Sequence, residues 1–125
     1  MSLDVTLTAT SVRDVTCPHC DKSFVVEEKE EQVYWANITH NLGTMAEAAG
    51  IYDALWRPDE HGYTKADQLI PLLQAGLKRM KADPAKFETF NSPNGWGMYH
   101  NFVPWVERYL TACMENPEAL VTVSR

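Results

Sequence analysis

The chain has 125 residues, 45% of them hydrophobic and 22% charged, with 17 Asp and Glu against 11 Lys and Arg and a formal net charge of −6. That length and composition suit one ordinary globular domain over 1–125 and exclude wholesale disorder. The acidic balance disfavours broad nucleic-acid coating, no apolar run nears the ~20 residues of a membrane span, no signal peptide opens the chain, and three cysteines make no disulfide scaffold, so a reducing cytoplasm is the expected setting.

The first segment reads as strand. In Asp4-Val5-Thr6-Leu7-Thr8-Ala9-Thr10 the apolar residues fall at odd positions, and Val and Thr favour a pleated, half-buried surface. Ser23-Phe24-Val25-Val26-Glu27 leaves the far side of Cys17-Pro18-His19-Cys20, so residues 1–30 are expected to form a β-hairpin around a tight C-P-H-C turn. The run Glu27-Glu28-Lys29-Glu30-Glu31 reads as a solvated connection, and Gln32-Val33-Tyr34-Trp35 as a short strand leading to the helices.

Residues 37–116 read as mainly helical. Asn37 is the expected N-cap of a helix whose face carries Ile38, Leu42, Met45, Ala46 and Ala49, with Gly50 ending or bending it. Thr64 followed by Asp67 resembles a capping arrangement for a helix bearing Leu69, Leu72, Leu73, Leu77 and Met80. The last helix, Met98 to Glu115, carries Phe102, Val103, Val106, Tyr109, Leu110 and Cys113 at core-like spacing; Pro104 within it, and Pro71 within the preceding one, predict either kinks or late starts. Asp83-Pro84 is an N-cap followed by proline at the first helical position, which predicts a short helix to Phe90. Residues 119–125 close the chain with a strand, Leu120-Val121-Thr122-Val123-Ser124, whose natural partners are the N-terminal strands. The expected fold is therefore α+β: a small antiparallel sheet of N- and C-terminal strands packed beside about four helices.

Three chemistries are open to Cys17-Pro18-His19-Cys20. Two thiolates three positions apart between β arms resemble half of a zinc ribbon, although no second C-x-x-C completes the ligand set and Cys113 suits a buried apolar position. The dipeptide context also matches thiol–disulfide oxidoreductases, but those place the first cysteine at a helix N-terminus, and here a strand follows. The third reading is an ordinary hairpin turn with reduced thiols. Cofactors are thus none, or zinc at Cys17 and Cys20 with an incomplete shell.

A second constellation is polar and aromatic. If 37–44 is helical, Asn37 and Asn41, and likewise His40 and Thr44, lie one turn apart and make a stripe of hydrogen-bonding groups. The plain alternative is a cap and a solvated face. Trp56 and Arg57, together with Asn94, Trp96 and Tyr99 around two glycines, offer stacking faces, a guanidinium and adaptable backbone; core packing competes for each aromatic. Asp53, Asp59, Glu60 and His61 could hold a metal or act as acid and base, but read more simply as an exposed turn. No phosphate loop, dinucleotide fingerprint, zinc-protease motif or nucleophile elbow is present, which weighs against an enzyme.

Asn37-Ile38-Thr39-His40-Asn41-Leu42, Met45-Ala46-Glu47-Ala48-Ala49-Gly50-Ile51-Tyr52, Leu55-Trp56-Arg57-Pro58 and Asn94-Gly95-Trp96-Gly97 resemble motifs of a family of small uncharacterised proteins of bacteriophages and related mobile elements. The resemblance spans about residues 32–125 and brings no activity or catalytic residues with it. It implies a host-cytoplasmic setting and a protein that binds a host factor or sequesters a signalling molecule.

The combined expectation is a non-enzymatic binding protein taking a small polar, nucleotide-like ligand or a host protein. Its site would lie between the 37–44 helix and the 94–99 turn, using Asn37, His40, Asn41, Thr44, Trp56, Arg57, Asn94, Trp96 and Tyr99. An acidic protein–protein interaction module or inhibitor and a zinc-knuckle module are the alternatives, and a homodimer is compatible with all three.

Overall fold

The computed structural model describes residues 2–16, 23–91, 93, 95 and 97–125, with side chains described outside 10–30. Cys17, Cys20, Asn94 and Trp96 lie outside the described residues. Strands β1 (Ser2–Thr16), β2 (Ser23–Thr39) and β3 (Leu120–Ser124) form an antiparallel sheet in the order β2-β1-β3. Among the described residues five α-helices follow β2: α1 (Gly43–Ala49), α2 (Tyr52–Trp56), α3 (Ala66–Ala82), α4 (Pro84–Glu88) and α5 (Tyr99–Glu115). The fold is α+β, as expected, with the C-terminal strand against β1.

Period-two patterning explains the sheet's two faces. Leu3, Val5 and Leu7 are fully buried and pair with Ile38, Ala36 and Tyr34 on β2, while Val5 and Leu7 also pair with Val123 and Val121 on β3. Each such Leu or Val contributes about 1.5–3 kcal/mol on burial. A register shift between Leu7 and Thr8 leaves Val33 as the extra residue of a bulge. The opposite face carries Thr6, Thr122 and Trp35, the last 55% exposed.

Two expectations about this region are corrected. The acidic run Glu27–Glu31 is not a connection but lies within β2, paired with Ala9 to Arg13 on β1; cross-strand pairing overrides weak strand propensity there. Asn37 is not a helix cap. The alternation of Tyr34, Ala36 and Ile38 toward the core carries β2 as far as Thr39, and Asn37 points to the other face. There its amide donates to Ser2 Oγ at 2.8 Å and to the Asp4 carboxylate. Thr39 takes the cap instead: its Oγ accepts from the Asn41 N–H at 3.3 Å, opening a 3-10 turn over His40–Leu42 that leads into α1.

The helical segments bury most of the residues their spacing marked: Leu42, Met45, Ala46 and Ala49; Leu69, Leu73, Leu77 and Met80; Phe102, Val106, Tyr109 and Cys113; Leu72, Val103 and Leu110 are only half-buried. Gln68, not Asp67, closes the start of α3, its Oε1 accepting from the Thr64 and Lys65 N–H groups. Asp83 caps α4 as expected, accepting from Lys86. Pro71 and Pro104 each sit inside an uninterrupted helix, on its exposed side, so neither starts a shorter one. Gly50 ends α1 at φ 78°, and Arg79 reaches across from α3 to donate to the Ala49 carbonyl at 2.8 Å. Gly76 lets α3 approach closely: a β-carbon there would lie 2.3 Å from Ile51 Cγ2. Among the described residues the buried set contains no charged side chain.

Candidate binding cleft

The chain turns three times in succession through the 3-10 turn, α1 and α2, and the hollow between them is a cleft of about 360 Å³. His40, Thr44 and Glu47 come from the first two elements, one helical turn apart. Tyr52, Trp56 and Arg57 come from the α2 side, and Arg125 closes the rim from beyond β3.

Its floor is aromatic. Trp56 is 3% exposed, and Tyr52 stacks on it with ring centres 5.4 Å apart and planes at 11°. The Trp56 indole N–H donates to Nδ1 of His40 at 2.8 Å. Since indole nitrogen is only a donor, Nδ1 must be the acceptor, which leaves Nε2–H as the imidazole's own N–H donor. Trp56 is therefore committed to packing and to orienting His40, and the half-buried Tyr52 presents the aromatic face.

Two guanidinium groups line the same hollow. Arg57 pairs with Glu60 at 3.0 Å; its pKa is held above the ordinary arginine value first by a hydrogen bond with Tyr52 and then by Glu60. Arg125 donates to the Trp56 carbonyl at 2.8 Å and to the Asp59 carboxylate at 2.9 Å. Its hydrogen bond to Asp59 raises its own pKa and holds the Asp59 carboxyl below the usual range, while nearby Arg57 acts in the opposite sense on Arg125. These pairs are exposed, so exchange with a competing anion costs little. Each guanidinium also carries five donors, more than one carboxylate can engage.

The charged loop after Trp56 resolves into separate pairs: His61 with Asp53 at 3.3 Å, Asp59 with Arg125, and Glu60 with Arg57. Among the described residues no three His, Cys, Asp or Glu side chains gather where a metal ion could be held. Cys113 is fully buried in α5, and burial pushes its thiol up to about 12.

The residues expected to form one site divide between places. His40, Thr44, Trp56 and Arg57 share the cleft. Asn37 lines a different hollow with Gly95, Gly97, Met98 and Asn101. Asn41 lies against the glycine turn: a β-carbon on Gly97, at φ 112°, would lie 2.9 Å from the Asn41 Cβ, so the 37–44 segment and that turn do meet. Tyr99 serves packing, its hydroxyl donating to the Met80 carbonyl at 2.9 Å and its ring lying on Phe87. Glu47, Tyr52 and Arg125 join the cleft without having been singled out. Tyr52 was accessible through its i, i+4 spacing to Trp56 and Glu47 through its i, i+3 spacing to Thr44; Arg125 depends on the sheet carrying β3 back past α2. Comparison with family models, curated proteins and solved structures finds no match to this chain.

Proposed function

We propose that the protein is a non-enzymatic binding protein that holds a small polar ligand of nucleotide type in the cleft over Tyr52 and Trp56. The observation that carries this reading is the convergence of Arg57 and Arg125 on one hollow with an aromatic face and an oriented imidazole donor. In this reading the guanidinium groups meet the ligand's anionic group, displacing Glu60 and Asp59 in part. Tyr52 stacks on its flat face. His40 Nε2–H and the Thr44 hydroxyl donate to its polar edge, and the Glu47 carboxylate accepts from it. A hollow of about 360 Å³ lies in the size range of small-molecule sites. The phage-family resemblance of the 37–58 segment agrees with a sequestering role in a host cytoplasm.

The test is a thermal-shift panel of nucleotides and cyclic nucleotides. A ligand binding only the native state adds about 2.7 kcal/mol at a hundredfold excess over its Kd. At least one phosphate-bearing member raises the melting temperature, and Arg57→Met loses that rise. No shift across the panel contradicts the reading.

A further inference from the structure

A second hollow runs between β2 and helix α5. Its first part, about 520 Å³, lies between Tyr34 on β2 and Thr111 and Glu115 on α5; its second, about 320 Å³, lies between Asn37 and Trp105. Arg108 borders both, so the two parts adjoin. The sheet order leaves β2 with β1 on one side and, among the described residues, no strand on the other. A strand in that position carries a row of backbone N–H and C=O groups available for pairing. Helix α5 stands over the core face of this edge, with Tyr109 stacked on Tyr34 at 5.9 Å, and so forms the second wall of a slot open to one extended chain.

Two features of this region bear on what it could hold. The Trp105 indole nitrogen and the Tyr109 hydroxyl are buried with no hydrogen-bond partner among the described residues; Trp105 lines the second part of the slot, and Tyr109 stacks on Tyr34, which lines the first. Native proteins rarely leave such groups unmatched. Charge then selects among occupants. In the first part of the slot Glu107 and exposed Glu115 on α5, with exposed Glu31 on β2 three residues before Tyr34, outnumber Arg108. A second copy of the chain would bring the same acidic strand and a net charge of −6 against its like.

We propose that this slot is a docking site for an extended basic peptide segment of a partner protein, which adds as a strand to the β2 edge with its Lys or Arg side chains toward the Glu31 and Glu115 end.

The probe is a short dye-labelled peptide alternating lysine and valine, followed by fluorescence anisotropy on the full chain, with amide hydrogen exchange as the second readout. Saturable binding is expected, with slowed exchange at the backbone amides of residues 33–38. N-methylation of the peptide backbone weakens binding roughly tenfold or more, the equivalent of one or two net hydrogen bonds. A glutamate–valine peptide fails to bind, and Thr111→Arg, at an exposed position on α5, weakens the lysine peptide while leaving the melting temperature unchanged. Absent binding, equal binding of the N-methylated or acidic peptide, or protection confined elsewhere overturns the proposal. So does a concentration-dependent dimer that protects residues 33–38 without peptide, which assigns the edge to a second copy.

Discussion

The Trp56 indole N–H donates to His40 Nδ1 at 2.8 Å and ties the 3-10 turn after β2 to the last turn of α2. One bond thus fixes both a wall of the cleft and the imidazole tautomer facing it. Trp56→Phe removes the donor and part of a buried ring. The expected loss is about 1–3 kcal/mol of unfolding free energy, from the hydrogen bond and the space left behind. Urea denaturation reads it directly, and an unchanged midpoint would show that the bond does not form.

Arg57→Met and Arg125→Met are expected to separate binding from stability. Both guanidinium groups make exposed ion pairs, so each variant should melt close to the parent protein. Each should nevertheless abolish stabilisation by phosphate-bearing ligands. A variant that retains the full ligand-induced shift removes that arginine from the site.

The contact between α3 and the α1–α2 corner leaves no room at Gly76. Gly76→Ala should destabilise by about 1–3 kcal/mol despite its better helix propensity, because the added methyl drives into Ile51 Cγ2. Ile51→Leu, which has no γ-methyl branching from Cβ, should recover part of that loss in the double variant. Simple additivity of the two changes contradicts the contact.

Alkaline pH should weaken the fold through Cys113. Burial raises its folded pKa from 9.0 to about 12, so above pH ~9 the unfolded chain loses a proton that the folded chain keeps. Stability is then fully present below pH ~9 and falls as pH rises toward 12. Burial raises the Tyr109 hydroxyl in the same direction. Chemical-denaturation midpoints across this range should fall less steeply for Cys113→Ala, and an identical slope contradicts the assignment.

Among the described residues, none that lines the cleft is a cysteine. The double variant Cys17→Ser, Cys20→Ser should therefore keep the ligand-induced thermal shift. Zinc analysis of the parent protein, purified without chelator, decides the zinc-knuckle alternative separately: less than half an equivalent per chain removes it.

Much of the fold was legible because burial imposed regular spacing. The odd-numbered apolar residues of β1, the Leu-rich face of α3 and the α5 positions Phe102, Val106 and Tyr109 all read correctly from period alone. The segment 36–42 misled, since its Asn, Thr and His residues fit a helix start as well as a strand end. The decisive Tyr34, Ala36, Ile38 alternation is only three residues long, and its meaning depends on pairing with Leu3, Val5 and Leu7. The site was partly legible for the same reason. His40 and Thr44, and Trp56 and Arg57, are neighbours in sequence and stay neighbours in space. Arg125 enters only through sheet topology, which no local pattern encodes.

The proposed function has Arg57, Arg125, His40 and Tyr52 act on one ligand. Its most direct test is a two-dimensional NMR titration of the labelled protein with nucleoside monophosphates, using inorganic phosphate as the control. Saturable movement is expected of the Trp56 indole N–H resonance, which reports on His40, together with the Arg57 and Arg125 side-chain resonances; phosphate alone moves only the arginines. Resonances of the cleft that stay fixed across the titration, or movement confined to the β2 edge, would contradict it.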